Sequence, residues 1–440
     1  MKHKPSLSGV LAFSFAVLVL APSAVVYGQV TEQQPADSLV HLDDLLVEAR
    51  LNNPSLRAAF LNATALATRR DQVSKLPDPT FGFSWQPYPI YTARGTQRTQ
   101  FRIEQMFPFP GIQNLRGDIA DRGAEAANFQ AQASRLDIEF QVKVAYYELF
   151  RIQQVLDLVY MFQSTLEDFE ESASTQYVVG TGSQQAVLKA QLEKNSLETI
   201  KIDLKKSRTS IAETLARLLN RSSSSGFLGN LRAEASLIPT LDQEVLLRTA
   251  LTMRPELGAV DAEAGKADAQ ILLAKKRYWP DFGLNITYFD IAASDQLPMG
   301  TGTNALAIGA KIKVPLQRGR RGATVEEAKV RRSQIDAIRE ALESEFRAQI
   351  ADLVSQIGQE KQQLALFEEV LIPQAEVTLQ ATLSDYTTGR TDFLNLLDAE
   401  RMLFSLRTSH ENVFVRYLKV TAALERAAGV SSFVEPGPGE

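Results

Sequence analysis

The sequence predicts a mainly α-helical protein made of two tandem repeats, each with a pair of β-strands and a long coiled-coil helical hairpin. Short motifs recur at a nearly constant spacing along the chain. The hydrophobic pattern also changes from a helical period to a period of two at matching places in both halves. Finally, apolar residues recur every seven positions in the last helical segment of each half, which is typical of coiled coils.

The duplication is visible in three pairs of motifs. "NNPSLRAA" and "PTFGF" recur as "MRPELGAV" and "PDFGL" 201 residues later, and "YVVG" recurs as "YTTG" 209 residues later. We therefore expect a first repeat over 29–220 and a second over 241–428. The Ser-rich segment 221–240 is interpreted as the linker between them.

The two ends of the chain are read as separate segments. Residues 1–28 have Lys2 and Lys4, then an apolar run and small residues, as in a cleaved signal peptide; a membrane anchor is the alternative. Residues 429–440 are expected to form a flexible tail. Removing 1–28 changes the formal net charge from −5 to −7, and this acidic balance argues against nucleic acid as a partner.

The chain contains no cysteine, which excludes disulfides, thiol catalysis and a lipidated N-terminal cysteine. After the first 28 residues there is no uninterrupted apolar run of about 18 residues, so no transmembrane helix is expected. Contact with a membrane would then have to involve strands.

Two strand pairs are predicted, at about 80–88 and 98–107 in the first repeat and about 281–290 and 305–315 in the second. They fit either the half-buried sheet of a soluble domain or part of a membrane β-barrel. In the barrel the apolar side faces lipid and four charged residues face an aqueous lumen: Arg102, Glu104, Lys311 and Lys313. Four strands are too few to close a barrel, so several chains would share one.

The helical hairpins are predicted over 112–220 and 318–428, each reversing at a Gly-containing turn. Gly180 and Gly389 suit the left-handed position at a helix end, and Ser183 or Thr391 could cap the returning helix. The heptad positions are Leu197, Leu204, Ile211 and Leu218 in one copy and Leu406, Val413, Val420 and Ala427 in the other.

The order of these motifs resembles the TolC-like outer-membrane factor family. The resemblance is carried by "LPDPTFGF", "EQMFPFPG", "YVVGTGSQQAVLKAQ" and "YTTGRTDFLNLLDAERMLF", and it spans roughly residues 42–428. The "FPFPG" wording is most similar to members paired with resistance-nodulation-division exporters.

The resemblance implies a homotrimer in the outer membrane of a Gram-negative-type bacterium, with a shared twelve-stranded barrel, a periplasmic helical tunnel, and lipid around the barrel. Partners would be a periplasmic adaptor (membrane fusion protein) and an inner-membrane exporter, of resistance-nodulation-division type. The function implied is passive conduction in a tripartite efflux system, without a cofactor or catalytic site. Alternatives are type I protein secretion, a soluble periplasmic coiled-coil adaptor, and a secreted enzyme.

Site residues follow from the same resemblance. The resemblance places Asp398, Asn395, Tyr386 and Arg390 at the periplasmic entrance, with Tyr386 and Arg390 in the bonds that hold it closed. Asp398 would form a ring of carboxylates in three copies, but Asn395 stands where the family has a second acidic residue, so the ring and its cation selectivity would be weaker. The alternatives are a solvated carboxylate for Asp398 and simple packing for Tyr386. The adaptor-docking tips would be formed by Tyr177, Gly180, Thr181, Gly182, Ser183, Gly389 and Thr391.

Other chemistry is sparse. His41 and His410 are far apart in sequence, so solvent-facing histidines are favoured over a metal centre. The "GTG" motifs lack the context of a phosphate loop. The basic segment "QRGRRG" at 317–322 is expected near the membrane rim or on the tunnel wall.

Overall fold

The computed structural model describes residues 40–224, 227, 231–232, 242–293 and 302–432. The predicted signal peptide, most of the predicted linker and residues 433–440 of the predicted tail lie outside these ranges. The prediction of a mainly helical chain is confirmed. None of the described helices is long and apolar enough to cross a membrane.

The first repeat has five helices and two strands. They are α1 (Leu42–Asn52), α2 (Pro54–Ala67), α3 (Arg69–Val73), β1 (Thr80–Thr92), β2 (Gly95–Phe107), α4 (Ile112–Val179) and α5 (Gln184–Leu219). Pro54 separates α1 from α2 because proline suits only the first turn of a helix. Asn53 caps α2 with its side-chain oxygen, and its Nδ2 donates to the Leu218 carbonyl at the end of α5 at 2.8 Å.

The second repeat follows the same order. It comprises α6 (Gln243–Met253), α7 (Pro255–Lys276), β3 (Asp281–Ala292), β4 (Ala305–Lys313), α8 (Arg318–Leu366), a π-helical turn (Phe367–Leu371), α9 (Ile372–Thr387) and α10 (Phe393–Ala428). The π-turn comes just before Pro373. Proline has no N–H to donate and its ring crowds the preceding turn, so the backbone widens there.

The four strands form one antiparallel sheet in the order β1-β2-β3-β4. β1 and β2 extend beyond the predicted ranges of 80–88 and 98–107, because only two residues separate them and Thr92 pairs with Gly95. The strand passes through Pro87 and Pro89, where the register shifts between Trp85 and Ile90. Such an irregularity is tolerated because β1 lies at the edge of the sheet.

The long helices are held together along their length by separate apolar clusters. α4 has 68 residues and extends roughly 100 Å at the usual rise per residue. One cluster lies between α1, α4 and α5, and a second lies between α6, α8 and α10. A third lies near the helical turns and combines residues of α4, α5 and α10. The heptad positions Leu197, Leu218, Val413 and Ala427 are buried in these clusters.

Candidate functional site

The turn of the first hairpin is a short, well-bonded helix end. Gly180 has φ +83°, and its N–H donates to the Tyr177 carbonyl at 3.0 Å. The N–H groups of Thr181 and Gly182 both donate to the Gln176 carbonyl at 2.9 Å. Ser183 caps α5 by accepting the Ala186 N–H. Because the backbone groups are satisfied internally, the exposed side chains of this turn are free to contact another molecule.

The turn of the second hairpin is built in the same way with a different cap. Gly389 has φ +72°, and Arg390 N–H donates to the Asp385 carbonyl at 2.8 Å. The prediction that Thr391 caps α10 is wrong. α10 begins at Phe393, so Asp392 occupies the capping position, and its carboxylate accepts the Asn395 N–H at 3.0 Å.

The predicted entrance residues lie together on the second hairpin but form mostly local contacts. Asp398 is exposed (72% of its side chain) and lies 3.6 Å from Arg401 Nη1. Asn395 Nδ2 donates to Thr391 Oγ1 at 2.8 Å. Arg390 Nη1 lies 3.7 Å from Asp385. Asp398 therefore presents its carboxylate to solvent, with Arg401 as its ion-pair partner.

Tyr386 packs into the apolar cluster beneath the turns. Its ring lies 6.1 Å from that of Phe393, which in turn meets Phe169 of the first hairpin at 6.1 Å. The Tyr386 hydroxyl is buried and has no hydrogen-bond partner in the described part of the chain. A buried hydroxyl without a partner costs free energy, so this group is suited to a partner from outside the chain.

One ion pair between the hairpins was not anticipated from the sequence. Arg401 of α10 bonds Glu193 of α5. Nearby, burial raises the pKa of the Glu400 carboxyl on the same helix. Arg401 and Glu193 are 208 residues apart, and the sequence contains no local signal that would connect them.

The histidines differ from expectation in one respect. His410 is not solvent-facing but half-buried, with Nε2 3.0 Å from Glu368 and Nδ1 3.1 Å from Glu411. The hydrogen bonds to these carboxylates, that of Glu411 first, raise the pKa of its imidazole. Within the described ranges no group of three or more His, Asp or Glu side chains is arranged so that it could hold a metal ion.

The sheet has one polar and one apolar face. Arg102, Glu104, Lys311 and Lys313 lie on the polar face, where Lys311 Nζ bonds Glu104 at 2.7 Å. The other face is exposed and apolar, and includes Phe81, Phe83, Trp85, Ile103, Leu284, Ile286, Leu306, Ile308 and Ile312. An exposed apolar surface of this size marks contact with another apolar phase or protein.

The comparisons with known proteins agree with this arrangement. The profile of the family described as "Outer membrane efflux protein" matches residues 246–430. Over these residues, which cover most of the second repeat, the chain is similar to this family.

Individual relatives are similar to the chain over most of its length. The outer membrane protein TolC of Vibrio cholerae is 24% identical over 72% of this chain and 73% of its own length. The cobalt-zinc-cadmium resistance protein CzcC of Cupriavidus metallidurans is 22% identical over 77% of this chain and 78% of its own length. The crystal structure of the outer membrane protein VceC of Vibrio cholerae has the same fold, with a TM-score of 0.72 and 22% identity. The match covers 89% of this chain and 97% of VceC.

Proposed function

We propose that this protein is the outer-membrane channel of a tripartite efflux system and conducts its cargo passively. The observation that carries the proposal is the sheet, which is polar on one face, apolar and exposed on the other, and continuous with helices far longer than a soluble domain needs. A polar face suits an aqueous lumen and an apolar face suits lipid. Energy for transport would come from an inner-membrane pump.

The proposed assembly is a homotrimer with a twelve-stranded barrel. β1 and β4 are the edges of the sheet and both have unpaired backbone groups within one chain. In a bilayer each such group must be paired, and about eight strands are needed to close a barrel. Three copies, pairing β4 of one with β1 of the next, satisfy both conditions.

The turns of the two hairpins are the proposed docking surface for a periplasmic adaptor, which would connect the channel to an exporter of the resistance-nodulation-division type. Val178 and Val179 are 81% and 71% exposed, and Tyr177 is 48% exposed beside them. Asp398 of three copies would line the tunnel entrance.

Photo-crosslinking in cells tests this function. A photoreactive residue is placed at Thr181 or Arg390, and the captured proteins are identified by mass spectrometry. Capture of an adaptor from a resistance-nodulation-division system supports the proposal, and capture of an adaptor from an ABC exporter would redirect it to type I secretion. Lys329, an exposed residue of α8 outside the turns, is the control site. Capture of an adaptor at Lys329 but at neither turn, or capture of no periplasmic protein at either turn, would contradict adaptor docking.

A further inference from the structure

Below the sheet, one side of the helix layer formed by α2, α4, α7 and α8 contains two adjoining cavities. Their volumes are about 740 and 580 Å³, in the range of a drug-sized ligand. Both are lined by Arg116, Ala274, Arg277 and Thr324, so they form one continuous surface. Lys313 also lines the second cavity, and it lies on the polar face of the sheet. The cavities therefore open on the same side of the chain as the polar face of the sheet, which is the proposed lumen side.

This surface is strongly basic in an acidic protein. Its lining contains eight basic and three acidic side chains, a net charge of +5, whereas the whole chain has −5. The basic residues are Arg69, Arg116, Lys266, Arg277, Lys313, Arg320, Arg321 and Arg331. Such a local excess attracts anions, and cavity walls of low dielectric strengthen the field.

The acidic residues of the lining do not neutralise this excess, because each is already engaged. Glu263 bonds Lys266 at 3.0 Å, and Glu327 bonds Arg331 at 2.8 Å. Asp281 accepts the backbone N–H of Phe109 at 3.2 Å. The first two contacts are within one helical turn, and the third is to a backbone N–H, so none of them supplies a counter-charge to the other cations.

Six of the eight basic side chains have no carboxylate within ion-pair distance among the described residues: Arg69, Arg116, Arg277, Lys313, Arg320 and Arg321. Two of them are held in place by neutral partners. Arg116 Nη1 donates to Gln113 Oε1 at 2.9 Å, and Arg321 Nε donates to the Arg277 carbonyl at 2.7 Å. Arg277 and Arg320 are exposed at the cavity surface. Arginine suits this task because its planar fork binds carboxylate, sulfonate or phosphate oxygens in pairs.

The opposite side of α4 and α7 is acidic. The groove there is lined by Asp118, Asp121, Glu125 and Asp268, with Arg122 as its basic residue. The basic character is thus confined to one side of the layer. Between its arginines the basic side also has apolar patches, at Leu66, Val73, Ile119 and Leu273.

We propose that this basic surface is an anion-binding belt of the tunnel wall, and that it favours organic anions: a carboxylate, sulfonate or phosphate on an apolar body. The inference rests on the proposed function, because it takes this side of the layer as the lumen. The arginines would bind the anionic group, and the apolar patches would contact the rest of the molecule.

The test is block of the channel in a planar bilayer of phosphatidylcholine, which supplies no anionic lipid. The probe is 1-anilinonaphthalene-8-sulfonate, and N-phenyl-1-naphthylamine is the matched neutral compound. In Arg277→Gln/Arg320→Gln the half-blocking concentration of the sulfonate should rise about fivefold, as for loss of exposed charge contacts. Block by the neutral compound should not change. The control Arg122→Gln/Lys329→Gln removes the same charge from outside the cavities and should behave as wild type.

The outcomes separate the two proposals. If both proteins conduct and the sulfonate blocks wild type and Arg277→Gln/Arg320→Gln at equal concentrations, the anion belt is overturned and the proposed channel function stands. A wild-type protein that does not conduct would contradict the proposed function. In that case calorimetric titration of the detergent-solubilised full chain with the sulfonate tests the belt directly: weaker binding by the double variant than by its control supports it, and equal binding overturns it.

Discussion

The two hairpins share recurring sequence motifs, yet near its turn the first buries more apolar side chains than the second. In the first, α4 is a single helix whose last third buries Val159, Phe162, Leu166 and Ala173. In the second, the π-turn interrupts the corresponding helix, and the only buried residue of α9 is Ala375. Tight packing resists movement, so the first hairpin is suited to act as a fixed frame and the second to move against it.

The turns differ in charge as well as in packing. Positions 209 residues apart correspond, so Lys189 in the first hairpin matches Asp398 in the second. Both side chains are exposed. Corresponding positions after the two turns therefore present opposite charges to solvent.

The largest expected effect concerns packing. Leu166→Ala, at a fully buried position of α4, should lower the free energy of unfolding by about 2–5 kcal/mol. Val377→Ala in α9 removes a side chain that is 70% exposed and should change it by less than about 0.5 kcal/mol. Guanidinium titration followed by circular dichroism measures both. Similar decreases in the free energy of unfolding for the two variants would mean that the hairpins are equally packed.

A smaller effect is expected at the helix caps. Ser183→Ala and Asp392→Ala should each cost about 1 kcal/mol, since each side chain accepts a backbone N–H at the start of its helix. Thr391→Ala, next to the second cap, serves as the control and should cost less. Hydrogen exchange of the first-turn amides of α5 and α10 reports the change. A larger effect of Thr391→Ala than of Asp392→Ala would contradict the observed cap.

The second hairpin should also be sensitive to pH through His410. Its pKa is raised by Glu411 and Glu368, so the stability it contributes is fully present below about pH 6.5 and is lost as the pH rises through the raised pKa. His410→Gln should therefore destabilise the protein more at pH 6 than at pH 9. Melting temperatures of wild type and variant at the two pH values test this, and a deficit that grows with pH would contradict it.

The smallest effect is expected in ion selectivity at the entrance. Asp398→Ala should shift the permeability ratio of the channel toward anions by about twofold, because it removes one exposed charge per chain. Lys189→Ala, at the corresponding position of the first hairpin, should leave the ratio unchanged. Reversal potentials in a salt gradient measure both. Unchanged selectivity in Asp398→Ala would reject its entrance role.

The sequence predicts the repeated features of the fold better than the features unique to one copy. The recurring motifs and the alternation at Phe81, Phe83 and Trp85 predict the sheet, and the glycines at 180 and 389 predict the turns. The 209-residue offset also pairs Ser183 with Asp392, so the capping residue of α10 could have been found from the repeat itself.

Contacts between the repeats could not be predicted. Lys143 of α4 bonds Glu425 of α10 at 2.6 Å, although 282 residues separate them, and a single charge on a helix does not indicate its partner. The basic segment 317–322 was apparent from the sequence and contains Arg320 and Arg321, but its association with Arg69 of α3, Arg116 of α4 and Arg277 after α7 was not. Only the packing of those helices places Arg69, Arg277 and Arg320 along one surface.

In the proposed assembly three chains share one barrel, and disulfide crosslinking tests this directly because the protein has no cysteine of its own. Cysteine pairs are introduced with one member in β1, at Gly82 or Ser84, and one in β4, at Ala305 or Ala307. The account predicts that at least one pair, oxidised in outer membranes, gives a covalent trimer on a denaturing gel. Covalent monomers or dimers alone, for every pair, would contradict a shared trimeric barrel.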